Sequence, residues 1–432
     1  MKNNSFFRTM VCIIVILCSC DNNGMDFQND SIMPKTRLGN EYSFEEADAS
    51  AQLSANQLYM KLLDEMGIAT SNKAGKDRPY PDYFGGAYTD ETCKLYVLVK
   101  GNQEKGRETI EKMIKGGDMV EYLPCEHSYQ ELTDVINHIT NVMTSLNEAI
   151  RKNISMYYLD VIENSVVVGL NICTKETIAE FKKHVADHKA IVFIEGLKAV
   201  ECNTIQPPNS IVNVNILSPG SLLSISEEND DSYGSWAFRA HDVTDTTKIG
   251  MVTAAHVMVT PVAYVHGFYV GTCTKQVHAG SVDAAFVELE EPLSPFEVLG
   301  STNGFYNEYI GGRLIGSQYV GPLDVDIYTP VVGTTINMRG WTTGHSSGVV
   351  VSTNYNVILS ETTTLTNLTA ASYNCNLGDS GGIVYTYFSS LGKRYTTGIV
   401  NGRVDLKPSN HFVCSYFTKA DVALDSLGVE RY

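Results

Sequence analysis

The sequence predicts a multidomain chain: an α/β region, then an all-β C-terminal domain of many short strands. Three observations carry that reading. Strand-like and helix-like segments alternate from Tyr83 to about residue 205, as in a compact α/β unit. The stretch "CNTIQPPNS" then breaks the pattern, because Pro207 and Pro208 cannot sit inside a helix and suit an exposed boundary. Beyond it the chain is dense in Val, Thr, Tyr, Ser and Gly, in short alternating runs separated by turns.

The elements follow in order. Residues 1–20 start with Lys2 and Arg8 and continue into an apolar run that ends at Cys18. That run is far short of the ~20 residues a spanning helix needs, so it reads as an export signal. "LCSC" at residues 17–20 resembles the lipobox of bacterial lipoproteins, which implies a lipid on Cys20 and a membrane anchor. Residues 21–78 read as a polar tether and a helical segment. Ser43 is its candidate N-cap, Leu53, Leu58, Leu62 and Leu63 share a face, and Gly67 ends it.

Residues 79–205 form the α/β region. "YFGGAYTDETCKLYVLVKG" reads as strand, turn, strand, with the turn at residues 90–92. Leu132, Val135, Ile136, Ile139 and Val142 stand at helical spacing. Two strands flank a turn at Glu163 and Asn164, a short amphipathic helix follows in "KETIAEFKKHVAD", and "AIVFIEGL" is a further strand. His127, His138, His184 and His188 gather no catalytic set and read as surface or helix-face residues. Residues 208–432 form the all-β domain, helical only at the tail, where Ala420, Ala423, Leu424 and Leu427 share one face.

The bulk numbers exclude several functions. A formal net charge of −17 argues against nucleic acid as a partner, which needs basic patches. Of the ten cysteines, seven lie beyond residue 20 with no C-x-x-C spacing, so neither a structural zinc nor any other metal or cofactor is expected.

Chemistry gathers in the all-β half. His256 follows an apolar strand in "MVTAAHV", and two alanines leave room for its imidazole. Asp283 heads the strand "DAAFVEL", where a half-buried carboxylate needs a partner. Ser380 sits in "GDSGG", whose glycines let the N–H groups of Gly378 and Ser380 point at one spot, as an oxyanion hole requires. Nucleophile, base, orienting carboxylate and oxyanion donors are the parts that acyl transfer needs.

"TAAH", "DAAFVEL" and "GDSGG", in that order, resemble the chymotrypsin-like serine peptidases of the bacterial streptogrisin and α-lytic branch. "GWTTGHSSGVV" is similar to a Gly-Thr-rich turn of streptogrisins, and "TGIVNG" to the strand that pairs with substrate backbone. The resemblance implies two perpendicular six-stranded β-barrels with the active site between them. It implies His256 as general base and acid, Asp283 as its orienter and Ser380 as nucleophile. It also implies a long N-terminal pro-region that assists folding and blocks the site. Val257 stands where many relatives carry a Cys, so the usual disulfide there is missing, while Cys375 and Cys414 could form the staple beside the specificity pocket.

The expected activity is hydrolysis of protein or peptide substrates by a secreted serine endopeptidase, made as a lipid-anchored precursor. The alternative is a catalytically inactive relative serving as a surface binding lipoprotein. Asn374 is expected at the base of the specificity pocket, with Asn401 and Gly402 on its wall. No unpaired Asp stands there, which disfavours Lys or Arg in the substrate, and a medium-sized side chain is expected instead. Cleavage of the pro-region is expected between residues 207 and 222.

Overall fold

In the computed structural model the described residues are 46–68, 79–202, 217–226, 233–265, 267–290, 302–306, 319–360, 362–407, 409 and 411–432. The export signal, Cys20, the tether and Ser43 lie outside them, as do residues 203–216.

The first α/β layer is a three-stranded sheet. Phe84–Thr89 and Leu95–Lys100 form a hairpin, and Val120–Cys125 lies parallel to the second strand. The turn between the hairpin strands is closed by Asp90 Oδ1, which accepts from the Thr92 N–H at 2.8 Å. Helices Leu53–Glu65 and Gln103–Ile114 cover one face. Ala55, Leu62, Val97, Val99, Ile110 and Ile114 share that core, so the helix read as part of the leading segment packs into this unit. The helix at Gln103–Ile114 has no counterpart in the sequence reading.

A second layer follows. Helix Tyr129–Val142 starts at a capping box between Ser128 and Glu131. It buries Leu132, Ile136 and Ile139 against strands Ile154–Asp160 and Ser165–Leu170. Asn164 makes the tight turn between these strands with φ +50°. Ile191–Glu195 runs parallel to Ser165–Leu170 after the crossover helix Lys175–His184. His138 sits on a helix face and contacts the Val185 carbonyl oxygen at 2.9 Å. His127 departs from the surface reading: it is buried, with its ring 5.5 Å from that of His188.

The C-terminal half holds two barrel-like sheets. In the first, the order is Val429–Arg431, Phe238–Asp242, Ile249–Thr253, Val282–Leu289, Phe268–Ala279, Val262–Val265, Leu222–Ser224, Tyr233–Ser235. It thus has eight strands rather than the expected six, and the C-terminal strand, one of the additional two, covers the edge of Phe238–Asp242. The second sheet does close with six: Thr335–Gly340, Ile383–Phe388, Lys393–Leu406, His411–Lys419, Thr364–Ala371, Gly344–Ile358, and back to Thr335–Gly340. Alternation explains both, since inward residues such as Met251, Phe286, Met338 and Val384 are buried.

The α/β region joins the second barrel through its backbone. Ile154–Asp160 pairs antiparallel with Gly344–Ile358, and a strand the sequence reading missed, Leu197–Glu201, pairs antiparallel with Lys393–Leu406.

Candidate active site

His256 and Asp283 come from the first sheet. The strand Ile249–Thr253 ends in a short 3-10 turn, Ala255–Val257, that carries the imidazole. Asp283 is the second residue of Val282–Leu289, with none of its surface exposed. Ser380 lies in the loop before Ile383–Phe388 of the second barrel. Gly381 fits there because its φ is +83° and a Cβ would stand 2.0 Å from Thr253 Oγ1 and 2.4 Å from the Ser235 carbonyl oxygen. The loop is thus pressed against the strand that delivers His256.

The three side chains form one hydrogen-bonded line. His256 Nδ1 lies 2.6 Å from Asp283 Oδ2, and Nε2 lies 2.8 Å from Ser380 Oγ. The His256 backbone N–H donates to Asp283 Oδ1 at 3.0 Å. Asn401 Nδ2 donates to Asp283 Oδ2 at 3.0 Å, and Thr418 Oγ1 donates to Asn401 Oδ1 at 2.8 Å. These bonds cross between the barrels and satisfy a carboxylate with no exposed surface. Ser380 Oγ also lies 3.0 Å from the Asn401 carbonyl oxygen, so one hydroxyl proton has two acceptors.

The electrostatics follow from these partners. Burial pushes the His256 pKa down, but the charge and hydrogen bond of Asp283 outweigh it, and the net shift is upward from 6.5. Burial raises the Asp283 carboxyl, yet its bond and attraction to His256 hold it below the ordinary value. Burial also keeps Asp379 above its ordinary value, against hydrogen bonds that lower it. Asp379 accepts from the N–H groups of Asn376, Thr342 and Thr343 at 2.7, 2.9 and 2.9 Å, which ties the Ser380 loop to the turn after Gly340.

The two amides proposed from the glycine pattern converge. The N–H of Gly378 donates at 2.6 Å and that of Ser380 at 3.2 Å to one acceptor, the carbonyl oxygen of Cys202. The Cys202 N–H donates to the Asn401 carbonyl at 3.2 Å, and upstream Glu201 pairs with Gly402, Val200 with Arg403 and Ala199 with Val404. Residues 197–202 therefore lie in the cleft as a substrate strand would. Gly402 permits this approach: a Cβ there would meet the Val200 carbonyl oxygen at 2.2 Å. The carbonyl at the paired amides lies upstream of the stretch expected to be cut, of which residues 207–216 are outside the described residues.

Three pocket expectations are corrected. Asn374 is exposed and its N–H donates to Ser346 Oγ at 2.9 Å, while its neighbours Tyr373 and Cys375 are buried. Cys375 and Cys414 do not pair. Cys375 Sγ lies 3.1 Å from Cys202 Sγ, whereas the Cys414 thiol faces the Tyr355 hydroxyl at 3.7 Å. The Asn401 side chain points to Asp283 rather than into the pocket, and only its carbonyl meets the seated strand.

One residue near the site has no part in the sequence reading. His278 is the cross-strand partner of Asp283, and its ring lies 5.9 Å from that of His256. Its Nε2 is 3.1 Å from Glu201 Oε1. Its only sequence signal was the mirrored hairpin spacing "HAGSVD".

Comparisons place the halves separately. Residues 40–120 match the family model of a Pro-like N-terminal domain, and residues 130–196 that of a Pro-like C-terminal domain. No curated protein matches the chain. Among solved structures, protease A of Thermobifida fusca is 18% identical with a TM-score of 0.37, covering 50% of this chain and 98% of that one. Chymotrypsin of Cellulomonas bogoriensis is 18% identical with a TM-score of 0.36, covering 50% and 98%. A glutamic acid-specific serine protease is 20% identical with a TM-score of 0.37, covering 50% and 100%. The chain thus carries two pro-like domains in its N-terminal half, ahead of a β-rich C-terminal half built from two barrel-like sheets.

Proposed function

We propose that the chain is the precursor of a serine endopeptidase whose own pro-region occupies its cleft. The observation that carries this reading is the meeting of two features at Ser380: the line to His256 and Asp283, and two backbone amides on one carbonyl oxygen. In this reading His256 Nε2 takes the Ser380 proton as Oγ attacks a substrate carbonyl carbon. The amides of Gly378 and Ser380 bind the oxyanion that forms. Collapse expels the amine, protonated by His256, and leaves an acyl-enzyme that water hydrolyses with His256 again as base. Asp283 holds the imidazole with Nδ1 protonated and stabilises the imidazolium. The bond that follows Cys202 is the one this machinery would cut first, since the Cys202 carbonyl oxygen meets the two amides.

The test is a serine-directed phosphonylating reagent on the full-length chain. Ser380 takes the label, and His256→Ala slows labelling at least about a thousand-fold. Robust labelling without His256 removes the assigned base. Mass spectrometry of active material is expected to show a new C-terminus at Cys202, and intact chain alone would count against self-processing.

Export and anchoring belong to the same proposal, supported by the sequence of residues 1–20. Cys20→Ala is expected to release the protein from the membrane fraction, and unchanged partitioning would discard the lipid.

A further inference from the structure

The seated strand shows more than that the cleft can be filled; it shows which side chains the cleft accepts. Cys202 has no exposed surface, and its Sγ stops 3.1 Å from the Sγ of Cys375. Cys375 is itself held, since its carbonyl accepts from Arg403 Nη1 at 3.2 Å and the Ser415 hydroxyl donates to its sulfur at 3.3 Å. A side chain longer than cysteine would run into that sulfur.

The preceding residue meets a different wall. Glu201 turns its carboxylate toward two imidazoles, with Oε1 3.1 Å from His278 Nε2 and 3.8 Å from His256 Nδ1. The nearer contact is with His278, because His256 Nδ1 is already bonded to Asp283 at 2.6 Å. The pair is partly shielded, with side-chain exposures of 28% for His278 and 25% for Glu201. The groups facing this contact are His256 and Asp283, and one nitrogen or oxygen from each of the four side chains lies within 4.8 Å of the others. A cationic side chain in place of Glu201 would lose the pairing with His278 and find the Asp283 carboxylate already engaged by His256 and Asn401.

We propose that the cleft reads a two-residue signature, an acidic side chain followed by one no larger than cysteine, and that His278 selects the acid while Cys375 limits the size. This rests on the peptidase reading above and gives it a substrate class.

The test uses the full-length chain and the rate at which the phosphonylating reagent labels Ser380, since the reagent enters only when residues 197–202 leave the cleft. Glu201→Gln is expected to raise the labelling rate about three- to five-fold, the scale of a half-exposed ion pair. In a His278→Gln background the same change is expected to make no difference. That ratio cancels any effect of His278 on the reactivity of Ser380 itself. Cys202→Leu is expected to raise the rate at least about ten-fold, and adding Cys375→Gly to bring it back toward the starting value. Equal labelling of the unaltered chain and the Glu201→Gln variant, or the same ratio with and without His278, overturns the acid selection. Leucine tolerated at position 202 overturns the size limit. In both cases Ser380 still labels and the peptidase reading stands; failure of every variant to label removes that reading and the signature together.

Discussion

His256 carries a proton more tightly in the folded chain than a free imidazole does, because Asp283 is buried beside it. Its base function needs the neutral form, so labelling of Ser380 is expected to fall on the acid side with a midpoint above 6.5. A pH–rate profile for the reagent checks this, and an acid optimum would contradict it. The same shift has a stability consequence. With the folded pKa raised, the contribution is full below the unfolded value near 6.5 and fades as pH rises through the folded one. Urea midpoints across that window read the trend directly. At this scale His256, Asp283 and Ser380 were legible because each sits in a local pattern whose chemistry is specific. Cys202, Cys375 and His278 were not. Their meaning depends on contacts between segments far apart in the chain, which no local spacing encodes.

Among the elements, the Ser380 loop is the most constrained. Gly381→Ala would place a methyl group against Thr253 and Ser235 at a positive φ. The expected cost is about 2–4 kcal/mol, combining overpacking with backbone strain. Thermal melting measures it, and loss of Ser380 labelling should accompany it. Strong periodicity made several elements readable, such as Tyr129–Val142 with its capping box and the tail helix Ala420–Leu427. Helix Gln103–Ile114 escaped because Gly106 interrupts it and only Gly106, Ile110 and Ile114 are buried, leaving a mostly charged surface. Strand Leu197–Glu201 escaped for another reason: "LKAVE" has no strong pattern of its own and becomes a strand by pairing with Lys393–Leu406.

Over the whole molecule, the leading segment also grips the second barrel. Glu46 takes Arg394 in a two-pronged ion pair, with Nε at 2.7 Å from Oε1, and both side chains are nearly shielded from water. Gln52 and Asn56 add hydrogen bonds to the backbone of residues 331–335. Glu46→Gln is expected to cost about 3 kcal/mol, since it leaves a buried guanidinium without its counter-charge. Chemical denaturation checks the value, and a change below about 0.5 kcal/mol would show that the pair carries no weight. The succession of an α/β region and a β-rich half was visible in the sequence as a change of periodicity. The contact between the parts was not, because it is made by backbone pairing at exposed strand edges.

That pairing changes what a cut at Cys202 would accomplish. The severed N-terminal piece would still be stitched to the barrel along Gly344–Ile358, along Lys393–Leu406 and at Arg394. The first turnover would therefore produce a stopper that stays in the bottle. Onset of activity would be timed by how slowly that piece peels away or is digested by another enzyme, and much less by how quickly the first bond breaks.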